Sequence, residues 1–121
     1  MSNLETAQEG YAAFARGDFD AALDLLDDDV EWIVPGTSAV SGSFRGKAEV
    51  RQLWERLAER GWQVRPEYWF AEGDHVCALC HVTIGDGEMD TADLLTFGAG
   101  RVRKFQTAAD TELLSRAWPP G

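Results

Sequence analysis

The chain has 121 residues, enough for one domain over 1–121 and no second. Its 21 acidic residues against 11 basic ones leave a net charge of −10, a field that repels phosphate backbones and anionic lipid surfaces, so nucleic acid and membrane are excluded as partners. No apolar run approaches the length of a membrane span, and the first five residues carry neither a basic region nor an apolar run, so a cytoplasmic location is expected.

Leu4, Ala7, Tyr11 and Phe14 recur at helical spacing, and Gly17 stops that helix. Asp18 caps a second helix, with Phe19, Ala22, Leu23 and Leu26 as its apolar stripe. Asp27-Asp28-Asp29 ends it, because carboxylates at a helix C-terminus oppose the dipole; the run reads as a solvated helix end rather than a metal site. Val30, Trp32 and Val34 mark a short strand closed by Pro35-Gly36, and a polar loop runs from Thr37 to Gly46. Val50, Leu53, Trp54 and Leu57 line one side of a third helix whose other side is charged.

From Trp62 onward the period is two. Four strands follow, over about 62–72, 75–85, 88–97 and 102–110, with turns at Glu72-Gly73-Asp74, Asp86-Gly87 and Gly98-Ala99-Gly100. Helices first and a meander last define an α+β domain with the helices packed on one face of an antiparallel sheet.

Cys77 and Cys80 spell C-x-x-C inside the alternating run His75–Val82. Residues i and i+3 of a strand point to opposite faces, so these read as two buried or half-buried thiols rather than a redox or zinc pair. His75 and His81 stand roughly 20 Å apart along a strand and cannot share a metal. No metal site is expected.

The turns set a register. Asp86-Gly87 as the hairpin turn pairs Ile84 with Met89, Cys80 with Asp93 and Val76 with Phe97, and a three-residue turn at 72–74 pairs Phe70 with Val76 and Tyr68 with Ala78. Val64, Pro66, Tyr68, Phe70, Val76, Ala78, Cys80, Val82, Ile84, Met89, Thr91, Asp93, Leu95 and Phe97 then share one face, which turns toward the helices. Asp93 is its only charge. A lone buried carboxylate is costly unless it is paired, hydrogen-bonded or protonated. Two readings follow: Asp93 lies in a cavity as acid, base or hydrogen-bond donor, or it is a buried Asp bonded to Thr91, Tyr68 or a helix end.

A three-residue turn at 98–100 puts Arg103, Phe105 and Thr107 inside, with Phe105 opposite Asp93 and Arg103 diagonal to it, close enough to pair with Asp93 and keep it ionised. A two-residue turn puts Lys104 and Gln106 inside instead. The first is preferred because it buries Phe105 and exposes Lys104. His75, Cys77, Leu79 and His81 fall on the outer face opposite Arg65, Glu67 and Trp69, and Trp69, Leu79 and Leu94 there suit a homodimer contact.

The stretches YAAFARGDFD (11–20), LLDDDVEW (25–32), FRGK (44–47) and DLLTFGAGRV (93–102) resemble the SnoaL-like and ketosteroid-isomerase-like branch of the nuclear transport factor 2-like superfamily, over nearly the whole chain. The resemblance implies a cone-like, cystatin-like α+β barrel: a curled sheet wrapped around N-terminal helices, with a deep apolar pocket and often a homodimer. It places Asp93 where ketosteroid isomerases carry the protonated aspartic acid of their oxyanion hole. Their general base would fall on Val34 and their oxyanion-hole tyrosine on Gly10, with Tyr11 turned by about 100° on the helix. Asp93 and Arg103 mimic part of the Asp-Arg-Asp arrangement of limonene epoxide hydrolases, without a second inward aspartate.

The expectation is a cofactor-free isomerase, cyclase or epoxide hydrolase acting on a hydrophobic small molecule. Asp93 would be the acid–base group, Tyr11 a second donor and Arg103 a modulating charge, with Trp32, Trp54, Tyr68, Phe97 and Phe105 shaping the pocket. The alternative is a non-catalytic ligand-binding or dimerisation domain.

Overall fold

Ser2 accepts the amide hydrogen of Glu5 while the Glu5 carboxylate accepts that of Ser2, a capping box that starts helix α1, Asn3–Ala15. A computed structural model describes residues 1–121. Helix α2, Phe19–Leu23, follows after Asp18 accepts from the Ala21 amide. The remaining elements are β1 (Leu26–Val34), β2 (Gly42–Arg45), α3 (Gly46–Glu59), β3 (Trp62–Glu72), β4 (His75–Ile84), β5 (Gly87–Gly98), β6 (Arg101–Ala108) and α4 (Thr111–Ala117).

The six strands form one sheet in the order β2-β1-β6-β5-β4-β3. Neighbours run antiparallel except β1 and β6, which are parallel. The sheet curls without closing, and α3 meets β1 and β2 at one end of it and β3 at the other. This is the expected cone-like, cystatin-like α+β architecture. Val50, Leu53, Trp54 and Leu57 of α3 are all buried, together with Val30, Val76, Val82 and Phe97 from the sheet. Each such side chain contributes about 1.5–3 kcal/mol of burial.

Several local expectations are corrected. Helix α2 ends at Leu23, and the acidic run belongs to β1. Between the pairs Leu26–Val102 and Glu31–Lys104, β1 advances five residues while β6 advances two. The excess bulges outward, which exposes Asp28 and Asp29 while Leu26 and Val30 stay buried. The polar loop contains β2, paired with β1. A fourth helix follows the last strand: Asp110 accepts from the Leu113 amide, and Leu113, Leu114 and Trp118 bury against the sheet and the Ala39 loop.

Register is where sequence and structure differ most. The β4–β5 turn is Gly85-Asp86, with Gly85 at φ 56°, because a two-residue turn of this kind takes glycine first. Every pair moves by two residues, so Ala78 faces Asp93 and Cys80 faces Thr91, and a shift of two preserves the face. The β3–β4 turn is Gly73-Asp74, and Glu67 is an extra residue between the pairs Pro66–Cys80 and Tyr68–Leu79. That bulge inverts the alternation. Tyr68 and Phe70 therefore face outward, 63% and 60% exposed, and Trp69 faces inward.

The β5–β6 turn is Ala99-Gly100, both with positive φ, as a type I′ turn demands. Arg103 is the extra residue between the pairs Phe97–Val102 and Thr96–Lys104. The bulge lets a two-residue turn coexist with inward Phe105 and Thr107, a combination neither turn alternative contained. Phe105 faces Leu95, and Thr107 faces Asp93.

A candidate ligand cavity

Four strands bring one row of side chains across the concave face: Trp69, Ala78, Asp93 and Thr107. Asp93 is 4% exposed. Helix α1 lays Tyr11 over this row, and its Oη donates to Asp93 Oδ2 at 2.5 Å. Thr107 Oγ1 donates to Oδ1 at 2.6 Å, and the Cys80 thiol approaches Oδ2 at 3.7 Å. Trp69 holds the Tyr11 ring edge-on, with centroids 5.2 Å apart.

Burial pushes the Asp93 carboxyl above the usual carboxylate range, and the hydrogen bonds from Thr107 and Tyr11 oppose that shift. Burial and then the Asp93 charge raise Tyr11 well above an ordinary phenol. The same two causes push the Cys80 thiol up to about 12.

Beside this cluster lies a cavity of about 100 Å³. Of the 23 residues that line it, 19 are hydrophobic and Asp93 is the only one with a charge. Trp32 stacks on Phe105 with centroids 3.7 Å apart and planes 12° from parallel, and Trp54 meets Trp32 edge-on at 5.4 Å. These three form an aromatic wall. Helix α4 contributes Leu114, and Val34 also lines the space.

Of the residues singled out from sequence, the structure gathers Asp93, Tyr11, Trp32, Trp54 and Phe105 around this cavity. Three lie elsewhere. Tyr68 is on the outer face, turned there by the Glu67 bulge. Phe97 is packed solid in the core and does not line the cavity. Arg103 sits in its own bulge, exposed, with its aliphatic stem over Gly98 and no ion pair to Asp93. Asp93 is held by hydroxyl groups, not by a cation. Sequence reasoning misses two residues of the cluster: it puts Thr107 on this face without a partner, and it puts Trp69 on the outer face as a dimer contact, whereas the structure turns Trp69 inward. The outward side of β4 carries His75, which meets Thr96, and His81, whose Nδ1 lies 3.0 Å from Asp90. No group of three or more His, Cys, Asp or Glu side chains is placed to hold a metal ion.

Residues 7–105 match the SnoaL-like domain family. An uncharacterized protein of Mycobacterium tuberculosis (strain H37Rv) is 42% identical over 45 residues, which is 37% of this chain and only 34% of that protein. Among solved structures, an NTF2-like protein from Burkholderia xenovorans LB400 superposes with a TM-score of 0.81 at 26% identity, covering 96% of this chain and 95% of that one. A Xanthomonas campestris protein of unknown function with a cystatin-like fold reaches 0.87 at 22% identity, covering 97% of each chain.

Proposed function

The chain belongs to the SnoaL-like domain family, and from that premise we propose that it takes a small hydrophobic molecule into the cavity and converts it without a cofactor, as an isomerase, cyclase or epoxide hydrolase. Asp93 is the acid and base. The observation that carries this reading is the solitary carboxyl group in an otherwise apolar and aromatic lining. A carboxyl group that burial makes a stronger proton acceptor takes up a proton in one step and returns it in the next. Tyr11 is the second donor: its one hydroxyl hydrogen rests on Asp93, and it turns to a substrate oxygen that gains charge once Asp93 has taken up a proton. Trp32, Trp54 and Phe105 set the shape of what enters.

Native mass spectrometry of gently purified protein, followed by turnover of any retained molecule, tests the proposal. Asp93→Asn abolishes turnover while the molecule still binds. Unchanged turnover removes Asp93 from the mechanism.

A second reading is a non-catalytic ligand-binding domain. It is favoured by the lack of a second carboxylate in the cavity and by Val34 at the position the family resemblance assigns to a general base. It expects Asp93→Asn and Asp93→Leu to leave ligand binding nearly unchanged, and measurable turnover lost on either substitution counts against it.

Both readings include a cytoplasmic homodimer joined through the outer sheet face. Tyr68, Phe70 and Leu79 are exposed there beside Cys77 and Leu94, an apolar strip unusual on a free surface. Leu79→Glu then converts a dimer to a monomer by light scattering, and a wild-type monomer at high concentration removes this part of the proposal.

A further inference from the structure

The cavity presents a carboxyl group and aromatic side chains with no basic side chain anywhere in its lining, and we propose that its ligand is a small hydrophobic amine, bound as the ammonium ion. This rests on the first reading, in which the ligand in the cavity meets Asp93, and narrows the hydrophobic molecule to one chemical class; it does not depend on turnover, and it parts from the second reading, in which binding is indifferent to Asp93.

Both Asp93 oxygens already accept a hydroxyl hydrogen, one from Tyr11 and one from Thr107. Donors on both oxygens are an arrangement that suits an anion. What the anion lacks is a counter-charge: the titratable side chains beside it are Tyr11 and Cys80, both neutral when protonated, and Arg103 on β6 is turned outward. A carboxylate offers about four acceptor sites, so a ligand N–H still finds one, and a buried carboxylate is far less costly when paired.

The wall beside the carboxyl group has the complementary chemistry. Phe105 lies two residues from Thr107 on the same face of β6 and is stacked against Trp32. Ring faces attract cations, and more strongly where water is excluded. The net charge of −10 raises the concentration of cations near the whole molecule. An anionic ligand meets the opposite situation, with its charge beside Asp93 and nothing to balance it. A neutral alcohol of the same shape donates to an acceptor of this cluster but supplies no charge, and a ketone finds the one Tyr11 hydrogen already given to Asp93. The volume of about 100 Å³ limits the occupant to one small ring or a short branched chain.

The test is calorimetric titration of the full chain at pH 7.5 with three probes of one shape: cyclopentylamine, cyclopentanol and cyclopentanecarboxylate. The amine binds at least about tenfold more tightly than the alcohol, and the carboxylate does not bind. Asp93→Asn abolishes the amine's advantage and leaves the alcohol within about threefold of its wild-type affinity. Phe105→Leu, which keeps Asp93, weakens the amine more than the alcohol and carries the test if the Asn variant does not fold. Equal binding of amine and alcohol by wild type overturns the proposal while the cavity stands as a ligand site. An amine preference that survives in Asp93→Asn marks binding to the acidic surface and also overturns it. If none of the three binds, the proposal and the reading of the cavity fall together.

Discussion

Tyr11 on α1 and Asp93 on β5, 82 residues apart in the chain, are joined by a 2.5 Å hydrogen bond that ties the first helix to the middle of the sheet. Removing the donor with Tyr11→Phe leaves a buried carboxyl short of one partner. The expected cost is about 1–3 kcal/mol by urea denaturation. Because that bond lowers the Asp93 pKa, its loss moves the carboxyl titration upward, which carboxyl-selective NMR resolves. A titration that stays in place means the bond has no influence on the acid.

Asp93 also makes stability depend on pH, with a defined sign. Its pKa is raised in the folded chain above the unfolded value, ordinarily about 3.9. The folded state therefore holds the proton longer, and the contribution is fully present below about pH 3.9 and is lost as pH rises to the folded pKa. Relative to Asp93→Asn, wild type loses stability on going from pH 4 toward neutral, until Asp93 is fully ionised. Paired thermal melts across that range measure the difference, and a flat difference contradicts the raised pKa.

Two threonines on the concave face make a contrast. Thr107 donates to Asp93, so Thr107→Val costs about 1–3 kcal/mol and Thr107→Ser restores most of it. Thr91 Oγ1 lies near enough to Asp93 to help hold its pKa down, yet it is buried and meets no partner within hydrogen-bonding distance and angle. Burying a hydroxyl without a partner is unfavourable, so Thr91→Val is neutral or stabilising by up to about 1 kcal/mol. Equal losses at both positions in denaturation experiments refute this distinction.

The β5–β6 turn offers a test away from the cavity. Ala99 adopts φ 51°, a conformation that costs a residue with a Cβ about 1–2 kcal/mol. Ala99→Gly relieves that strain but adds freedom to the unfolded chain, which leaves a net gain of about 0.5 kcal/mol. Arg103→Ala, by contrast, changes stability by less than about 0.5 kcal/mol and leaves the Asp93 titration where it is, because Arg103 is exposed. A shift of the Asp93 titration in that variant restores Arg103 to the site.

The inward placement of Asp93 was legible because its neighbours at two-residue spacing, Thr91, Leu95 and Phe97, belong to the apolar side of β5, and an error of two residues in pairing leaves that side unchanged. Tyr68 and Trp69 were exchanged for the complementary reason: a single bulged residue at Glu67 reverses every side chain beyond it. No local signal marks that residue, since Glu is ordinary on a strand. Helix α4 did carry a signal, the Asp110 cap followed by Glu112, but the strand pattern before it ran on to the same residue.

By itself the residue order determined the periodicities: apolar stripes that make α1 and α3, alternation that makes β3 to β6, and one acid on the buried side of β5. Those are local quantities, set by backbone geometry and by which side chains leave water. Only the tertiary structure decided what that acid touches. Its partners, Tyr11 and Thr107, come from two other elements, and their arrival depends on one-residue bulges and on which glycine opens a turn. Such choices are settled by packing across the whole sheet, which no short window of sequence contains.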